Sequence, residues 1–342
     1  MRRALVLGGT GAVGRAVASR LARAGWRVEV TGRDATKMPD DLVSAGVSFT
    51  RADRRDTAAV AAAFGAGADL LVDCVCYTAD DARRLLPLVR SATSTVMISS
   101  KAVYVDAAGN HSNSDVAPRF DGPIRETQST IAPNDIDYRS REGYGANKVA
   151  AEQVLLESGL PVSVLRPSKI HGRGAGRPRE WIFVKRVLDR RPMVFLAHRG
   201  RGVDHTTAAA NLAALVEVVA EKAGARVLNS ADPDSPDGLQ IARTIARLLD
   251  HEWQEVLLDG DAVGNVGRYP WDAAHPIVLD TSAALALGYS PVGDYAATVA
   301  GEVDWLVTAP RGDDPFFAAL FDYAAEDRFW RAEPQGAGRS RR

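Results

Sequence analysis

The sequence predicts an α/β fold with a doubly wound parallel sheet and a smaller C-terminal lobe. Two observations predict it. Short apolar runs alternate with helical patterns through the first half of the chain, and the first run, 4–7, is apolar throughout, as a strand buried on both faces requires. Strands that alternate with crossover helices pair in parallel, so these elements form one wound sheet.

The individual elements follow from apolar periodicity and from the residues that end each run. We expect strands at 4–7, 28–30, 47–49, 70–72, 96–98, 162–165 and 226–229. We expect helices at 12–24, 58–64, 81–89, 144–156, 181–188, 211–219 and 239–249.

Composition excludes several classes of protein. The 342 residues carry 42 Lys+Arg against 43 Asp+Glu, a net charge of −1, whereas nucleic-acid-binding proteins show a basic excess. The chain has no run of eighteen apolar residues, so we expect no membrane span, and the apolar run after Met1 is too short for a signal peptide. Two cysteines cannot build a secreted disulfide framework. We therefore expect a cytoplasmic protein without nucleic-acid or membrane partners.

The rhythm of the elements changes at two places. The segment 105–141 is rich in Asp, Asn, Ser, Pro and Arg without periodicity, and a loop of that length is functional or mobile. A glycine-rich joint follows at 172–176. We interpret 1–172, completed by 203–230, as a dinucleotide-binding domain, 173–202 and 231–330 as a substrate-binding lobe, and 331–342 as a flexible tail.

A glycine-rich turn joins the first strand to the first helix. The segment Gly8-Gly9-Thr10-Gly11-Ala12-Val13-Gly14 contains Gly-x-Gly-x-x-Gly in the strand–turn–helix context that gives this pattern its meaning. The glycines permit a tight turn and a close approach of the backbone to a pyrophosphate, which the helix N-terminus attracts. The turn predicts a Rossmann-type dinucleotide site, with Gly8, Thr10, Gly11, Ala12, Val13 and Gly14 in contact with the cofactor.

The end of the second strand indicates which cofactor binds. Sites for NAD place an acidic residue there to bind the ribose 2′-hydroxyl, but this chain has Thr31, followed by Arg33. An arginine fork suits a 2′-phosphate, which favours NADP(H). The rival interpretation keeps Asp34 or Glu29 as the ribose acid and NAD(H) as the cofactor. Asp53 follows the third strand and lies near the adenine, unless it only caps the helix at 58–64.

Three further residues suggest proton-transfer chemistry. Tyr144 and Lys148 stand four residues apart, which puts both on one helical face. A free tyrosine has a pKa of about 10, and a neighbouring ammonium stabilises its phenolate. Ser100 follows the fifth strand, at the sheet edge where parallel sheets bind ligands, and its hydroxyl could hold a substrate oxygen.

These motifs together resemble the extended short-chain dehydrogenase/reductase superfamily, which includes nucleotide-sugar epimerases and dehydratases. The resemblance covers residues 5–306 and rests on the glycine turn and on the segments 98–104, 144–148 and 165–172. It implies that Ser100, Tyr144 and Lys148 form a catalytic triad, that Lys148 also binds the nicotinamide ribose, and that Pro167 lies beside the nicotinamide.

The chain departs from the pattern of these relatives at two places. Dehydratases carry Thr-Asp-Glu where this chain has Ser100-Lys101-Ala102, so the acid and base for 4,6-dehydration are missing. The acidic residue that sugar epimerases carry after the second strand is also absent. The substrate therefore stays open between a small-molecule carbonyl compound and a nucleotide sugar.

Other polar residues near the expected strand ends are candidates for ligand contact. Cys74 and Cys76 follow the fourth strand; their spacing, with no further Cys or His nearby, does not make a zinc site, and we expect no metal. We assign Cys74 to the cofactor site. Candidate substrate residues are Lys101, His171, Arg173 and His205.

The sequence thus predicts an NAD(P)-dependent oxidoreductase that transfers a hydride at a carbonyl or alcohol carbon. One alternative is a nucleotide-sugar epimerase that keeps NAD bound and shows no net redox change. Another is a non-catalytic dinucleotide-binding sensor, although such proteins often lose the tyrosine or the lysine. The resemblance also suggests a homodimer.

Overall fold

The computed structural model describes residues 1–309, 315 and 317–332. The strands are β1 (Arg3–Leu7), β2 (Arg27–Gly32), β3 (Ser48–Arg51), β4 (Ala68–Asp73), β5 (Ala92–Ile98), β6 (Val162–Pro167), β7 (Lys169–His171), β8 (Met193–Leu196), β9 (Thr206–Ala208), β10 (Arg226–Ser230) and β11 (Gln254–Leu257). The helices are α1 (Ala12–Arg23), α2 (Asp40–Ser44), α3 (Thr57–Phe64), α4 (Ala79–Val89), α5 (Arg141–Leu156), α6 (Trp181–Leu188), α7 (Ala209–Glu221), α8 (Gly238–Leu248), α9 (Ser282–Ala286), α10 (Tyr295–Thr308) and α11 (Tyr323–Ala332).

Seven strands form one sheet in the order β10-β6-β5-β4-β1-β2-β3, and every pairing in it is parallel. The strand order reverses between β4 and β1, which opens the crevice where doubly wound sheets bind ligands. The predicted fold class is confirmed. The short pairs β7–β9 and β8–β11 stand apart from this sheet and were not predicted.

Helices cover both faces of the sheet. On one face, α1 and α7 bury a core that includes Val17, Leu21 and Leu215. On the other face, α3, α4 and α5 bury a second core that includes Phe64 and Leu85. Burial on both faces explains why the central strands are almost continuously apolar.

A third hydrophobic core lies outside the main sheet, between α6, α8 and α10. Its largest fully buried members are Trp181, Trp271 and Tyr295, and all of its buried residues come from 173–202 and 231–330. We keep the division into a dinucleotide-binding domain and a substrate-binding lobe as an interpretation. The predicted flexible tail at 331–342 begins too early, because Arg331 and Ala332 still belong to α11, and 333–342 lies outside the described residues.

The long segment 105–141 is held by local hydrogen bonds. The Asp106 carboxylate accepts hydrogen bonds from the amides of Ala108, Asn110 and Arg119, and Tyr104 bridges to Thr130. The segment ends at Ser140, which caps α5. The segment therefore positions the start of α5, which carries Tyr144 and Lys148, near the carboxyl ends of the strands. No helix among the described residues is both long and apolar enough to cross a bilayer.

Candidate active site

The glycine turn has the geometry that a dinucleotide site requires. Gly8 has a φ of 80°, and a Cβ on Gly14 would lie 2.4 Å from the Gly8 carbonyl oxygen. A side chain at either position would therefore open the turn. Gly11 is exposed, and a Cβ there would meet only the Gly8 oxygen, at 3.7 Å, among the described atoms. The turn is tight on its inner side and open on the side that faces the cleft.

The residues at this turn fit a pyrophosphate. Gly11 is the N-cap of α1, and no side chain of the described residues caps it. The first amide groups of α1 thus remain available to an anion, and the helix dipole adds positive potential there. A cleft of about 350 Å³ runs past this point between β1, β2 and β4. Its lining includes Gly8, Thr10, Gly11, Thr31, Arg33, Asp53, Arg55, Tyr77, Tyr138 and Arg139.

The two acidic residues near the end of β2 are both engaged elsewhere. The Glu29 carboxylate pairs with Arg3 at 2.9 Å and accepts a hydrogen bond from Thr50. The Asp34 carboxylate accepts hydrogen bonds from the amide and hydroxyl of Thr36. Asp34 thereby caps the short helical turn that contains Thr36. Arg33 is exposed at the wall of the cleft. These contacts favour Arg33 over either acid as the residue that meets the ribose.

Asp53 and Cys74, which the sequence assigns to the cofactor site, lie at the cleft and against the glycine turn respectively. Asp53 lines the cleft and accepts a hydrogen bond from the Arg55 amide; the N-cap of α3 is Asp56, not Asp53. Cys74 follows β4, and its amide donates to the Leu7 carbonyl, so it lies against the turn. Burial raises the pKa of the Cys74 and Cys76 thiols, which therefore stay protonated near neutral pH.

Lys148 is held at the carboxyl ends of the two central strands. Its buried ammonium donates hydrogen bonds to the Cys76 carbonyl at 2.7 Å and to the Ile98 carbonyl at 2.9 Å. An ammonium has three donors, and these contacts account for two of them. Helix α5 thereby places Lys148 at the carboxyl ends of β4 and β5, one helical turn after the partly exposed Tyr144.

Tyr77 is a member of the site that the sequence reasoning missed. The Lys148 ammonium lies 4.5 Å from the centre of its ring, and Tyr138 stacks on the ring at 5.1 Å. Burial, with a smaller contribution from nearby Tyr144, raises the pKa of Tyr77 to about 12. Tyr77 follows the carboxyl end of β4, as Ser100 follows that of β5. The rule that parallel sheets bind ligands at the carboxyl ends of their strands could therefore have identified Tyr77 as well. Nothing in the local sequence places Tyr138.

Ser100 lies next to α5 because a glycine allows close approach. Gly145 packs so tightly that a Cβ would lie 2.4 Å from the Ala102 carbonyl oxygen. Ser100 caps the short turn that contains Ala102, and its hydroxyl accepts a hydrogen bond from the Ala102 amide at 3.2 Å. The segment after β5 and the first turn of α5 are therefore in direct contact, with Ser100 and Tyr144 beside that contact.

A buried polar network fixes α5 to the sheet below the site. Glu152 of α5 binds the Arg166 guanidinium through two contacts of 3.1 Å and 2.5 Å and accepts a hydrogen bond from the Ser99 hydroxyl. Arg166 also lies over the ring of Tyr104, at 4.9 Å. Pro167, the residue after Arg166, is the buried last residue of β6.

Two of the predicted substrate residues are occupied by protein contacts. Lys101 is buried in an ion pair with Asp204, which Lys169 also contacts at 3.1 Å. The Nδ1 atom of buried His205 accepts a hydrogen bond from the Leu279 amide, and its Nε2 donates to the carbonyls of Asp232 and Asp234. We correct His205 to a structural residue, because both ring nitrogens are used by the backbone.

The other two predicted substrate residues lie elsewhere. Arg173 is exposed in a groove bordered by α1, α7 and α10, and a Cβ on its neighbour Gly174 would lie 3.7 Å from the Ala12 amide nitrogen at the start of α1. His171 is 1% exposed, and its Nε2 contacts the Asp232 carboxylate at 2.9 Å. Glu302 lies nearby; burial and the charge of Glu180 raise its pKa well above the usual value. The burial of His171 against Asp232 favours a structural role, whereas the assignment of Arg173 to the substrate site stays a prediction.

Comparison with known proteins agrees with this arrangement. The NAD dependent epimerase/dehydratase family matches residues 4–224, which include the glycine turn, Ser100, Tyr144 and Lys148. The match confirms the resemblance to the extended short-chain dehydrogenases/reductases. No curated protein matches the chain in sequence.

Solved structures share the fold at low identity. UDP-glucose 4-epimerase from Bifidobacterium longum, in complex with NAD+ and UDP, is 18% identical with a TM-score of 0.68, over 91% of this chain and 99% of that one. A putative epimerase from Burkholderia cenocepacia J2315 is 22% identical with a TM-score of 0.69, over 90% and 99%. dTDP-glucose 4,6-dehydratase from Bacillus anthracis str. Ames, in complex with NAD, is 15% identical with a TM-score of 0.67, over 91% and 98%. The chain belongs to the NAD dependent epimerase/dehydratase family, a family of enzymes.

Proposed function

We propose that the protein is an NAD(P)-dependent oxidoreductase that acts at a carbonyl or alcohol carbon through Ser100, Tyr144 and Lys148. The observation that carries the proposal is the position of Lys148. Its ammonium is anchored between the Cys76 and Ile98 carbonyls and lies 4.5 Å from the ring centre of Tyr77, which lines the cleft that runs past the glycine turn. A cation held there, one helical turn from a phenol, suits proton transfer next to a bound dinucleotide.

Each residue has a distinct role in this proposal. The nicotinamide cofactor, when bound, supplies or accepts the hydride. Tyr144 gives a proton to the substrate oxygen or takes one from it. Lys148 lies one helical turn from Tyr144, and its remaining N–H would donate to the cofactor ribose. The Ser100 hydroxyl holds the substrate oxygen.

Tyr77 is the second phenol beside Lys148, but two features argue against it as the proton donor. Burial holds its pKa at about 12, which disfavours a phenolate near neutral pH, and its ring is stacked on Tyr138. We assign Tyr77 to the wall of the cofactor site.

We propose NADP(H) as the preferred cofactor. Arg33 is exposed at the cleft, whereas Glu29 is paired with Arg3 and Asp34 caps a turn at Thr36. An arginine fork binds a 2′-phosphate, and no acid remains at the position that would bind a 2′-hydroxyl. Two of the cited structures, UDP-glucose 4-epimerase and dTDP-glucose 4,6-dehydratase, are complexes with NAD, so this preference would distinguish the present chain from them. A cytoplasmic location and a homodimer stay predictions from the sequence.

A nucleotide-sugar epimerase is the second candidate, favoured by the similarity of the fold to that of UDP-glucose 4-epimerase. It would use the same three residues and return the hydride to the same substrate. The two candidates are separated by measuring the absorbance of NADPH while the enzyme is incubated with a panel of carbonyl compounds and nucleotide sugars. Steady consumption of NADPH supports the reductase. Isomerised sugar without consumption of NADPH supports the epimerase.

The decisive variant pair is Tyr144→Phe and Tyr77→Phe, each of which removes one hydroxyl. We expect Tyr144→Phe to lower turnover by about 10²–10⁴-fold while NADPH affinity is unchanged, and Tyr77→Phe to keep most activity. Full activity in Tyr144→Phe would overturn the assignment. Cofactor binding without activity on any substrate would favour the non-catalytic sensor.

A further inference from the structure

Three buried side chains outside the cofactor cleft bring potential metal ligands together. His171 is the last residue of β7, Glu180 precedes α6, and Glu302 lies in α10. One donor atom from each lies within 4.8 Å of the others, and each residue is at most 2% exposed. They are distant in sequence, so only the fold assembles them.

The imidazole of His171 is oriented as a metal ligand would be. Its Nε2 contacts the Asp232 carboxylate, which is itself fixed by the Thr206 hydroxyl, the Ala208 amide and the Asn211 side chain. This contact turns Nδ1 towards Glu302, whose Oε2 lies 4.0 Å away. A carboxylate behind a histidine is the usual support of a metal-binding imidazole.

Two atoms of this cluster lack hydrogen-bond partners. Among the residues that the structure describes, neither Nδ1 of His171 nor Oε1 of Glu302 has one, and both atoms are buried. The other Glu302 oxygen accepts a hydrogen bond from the Gly172 amide, and a Glu180 oxygen contacts the Tyr295 hydroxyl at 3.4 Å. Buried polar atoms are normally satisfied, so these two indicate an additional ligand.

The charge of the surroundings also favours a cation. Three buried carboxylates, those of Glu180, Asp232 and Glu302, stand around the cluster, and Arg179 is the cation whose charge acts on both glutamates. When all three carboxylates are ionised and the imidazole is neutral, as metal ligation requires, these groups leave two negative charges in excess of the charge of Arg179. A divalent ion balances them, whereas a buried excess charge is unfavourable.

We propose that His171 Nδ1 and one oxygen each of Glu180 and Glu302 bind a divalent transition-metal ion such as Zn²⁺ or Mn²⁺. One nitrogen and two carboxylate oxygens suit these ions better than Ca²⁺ or Mg²⁺, which prefer oxygen ligands alone. Ligands about 2.0–2.2 Å from a metal lie at most about 4.4 Å apart, so only a small contraction of the cluster is needed. The sequence pointed to no metal, because that reasoning considered only the spacing of the cysteines.

The proposed ion would have a structural role. His171 follows the main sheet, whereas Glu180 and Glu302 belong to the elements around the third core, so one ion would join the two parts of the chain. A groove of about 690 Å³ is lined by His171 and Glu302, with Arg15 and Arg173 also at its wall, and offers a route from solvent.

The test uses the whole chain, freed of metal with a chelator and titrated with ZnCl₂ and MnCl₂ in a calorimeter. We expect one ion per chain and a rise in Tm when it binds. Glu302→Gln and His171→Gln should each weaken binding by at least about 100-fold, since removal of a supporting partner alone costs about 10–100-fold. Asp304→Asn, an exposed neighbour in the same helix, should bind normally.

Two outcomes would overturn the proposal. If the wild-type chain binds neither ion, the cluster is not a metal site; this result needs no variant and does not depend on how the variants fold. If binding persists in Glu302→Gln and is lost in His198→Gln, the metal sits at the surface, where His198 contacts Asp261 and Asp272.

Discussion

The backbone of Gly145 lies against the carbonyl of Ala102 so closely that a Cβ on Gly145 would come within 2.4 Å of that oxygen. This contact joins the first turn of α5 to the segment that follows Ser100. The position of Tyr144 relative to Ser100 thus depends on a residue that carries no functional group.

We predict that Gly145→Ala lowers kcat/KM by about tenfold or more and destabilises the fold by about 1–3 kcal/mol, because the added methyl group pushes α5 away from Ala102. Steady-state kinetics and urea unfolding measure both effects. Gly301→Ala is the matched control, since Gly301 is also helical but a Cβ there meets no described atom within 4 Å. If Gly145→Ala and Gly301→Ala show the same kcat/KM and the same free energy of unfolding, Gly145 does not position α5.

The buried pair of Glu152 and Arg166 should be important for stability. We predict that Glu152→Ala lowers the free energy of unfolding by about 3–5 kcal/mol, because it leaves the Arg166 guanidinium buried without its counter-charge. Urea denaturation measures the loss. The double variant Glu152→Met with Arg166→Met should recover much of it, and a double variant as unstable as Glu152→Ala would contradict this reasoning.

Arg33 should determine the choice of cofactor. We predict that Arg33→Ser raises the Kd for NADPH by about tenfold to a hundredfold and changes the Kd for NADH little, because one charge-assisted contact with the 2′-phosphate is lost. Fluorescence titration of both cofactors measures this. Arg27→Ser, an exposed arginine at the other end of β2, controls for net charge. An equal loss of both cofactors in Arg33→Ser would argue against a 2′-phosphate contact.

The cysteines should be unreactive in the folded protein. Burial raises the pKa of both thiols above their unfolded value of about 8.5, so iodoacetamide at pH 8 should label them far more slowly than in urea. Mass spectrometry after timed labelling measures the rates.

The same shift in pKa has a consequence for stability. A group whose pKa is raised on folding favours the folded state below its unfolded pKa, and this contribution is lost as the pH rises above that value. Stability should therefore decline above about pH 8.5, and the raised pKa of Tyr77 acts in the same direction above about pH 10. Rapid labelling at pH 8, or stability that increases at alkaline pH, would contradict this interpretation.

Local patterns in the sequence predicted the parts of the site that one element supplies. The glycine turn is contiguous, and the spacing of Tyr144 and Lys148 follows from helical periodicity alone. The strand predicted at 70–72 extends over Ala68–Asp73, because a buried run indicates its centre better than its ends.

Contacts between distant segments could not be predicted in the same way. Lys101 suits an anionic substrate when considered alone, but the fold brings Asp204 to it. Tyr138 belongs to an irregular segment, and only the three-dimensional arrangement stacks it on Tyr77. His171 directly precedes the glycine-rich joint at 172–176, and nothing in that local sequence shows that Asp232 and Glu302 enclose it.

The most direct test of the central claim is a crystal structure of the chain with NADP(H) bound. Our account predicts the nicotinamide ring beside the Tyr144 hydroxyl, the adjoining ribose hydrogen-bonded to Lys148, and the 2′-phosphate on Arg33. A nicotinamide ring bound away from Tyr144 and Lys148, or a Ser100 hydroxyl too distant to share a substrate oxygen with Tyr144, would contradict it.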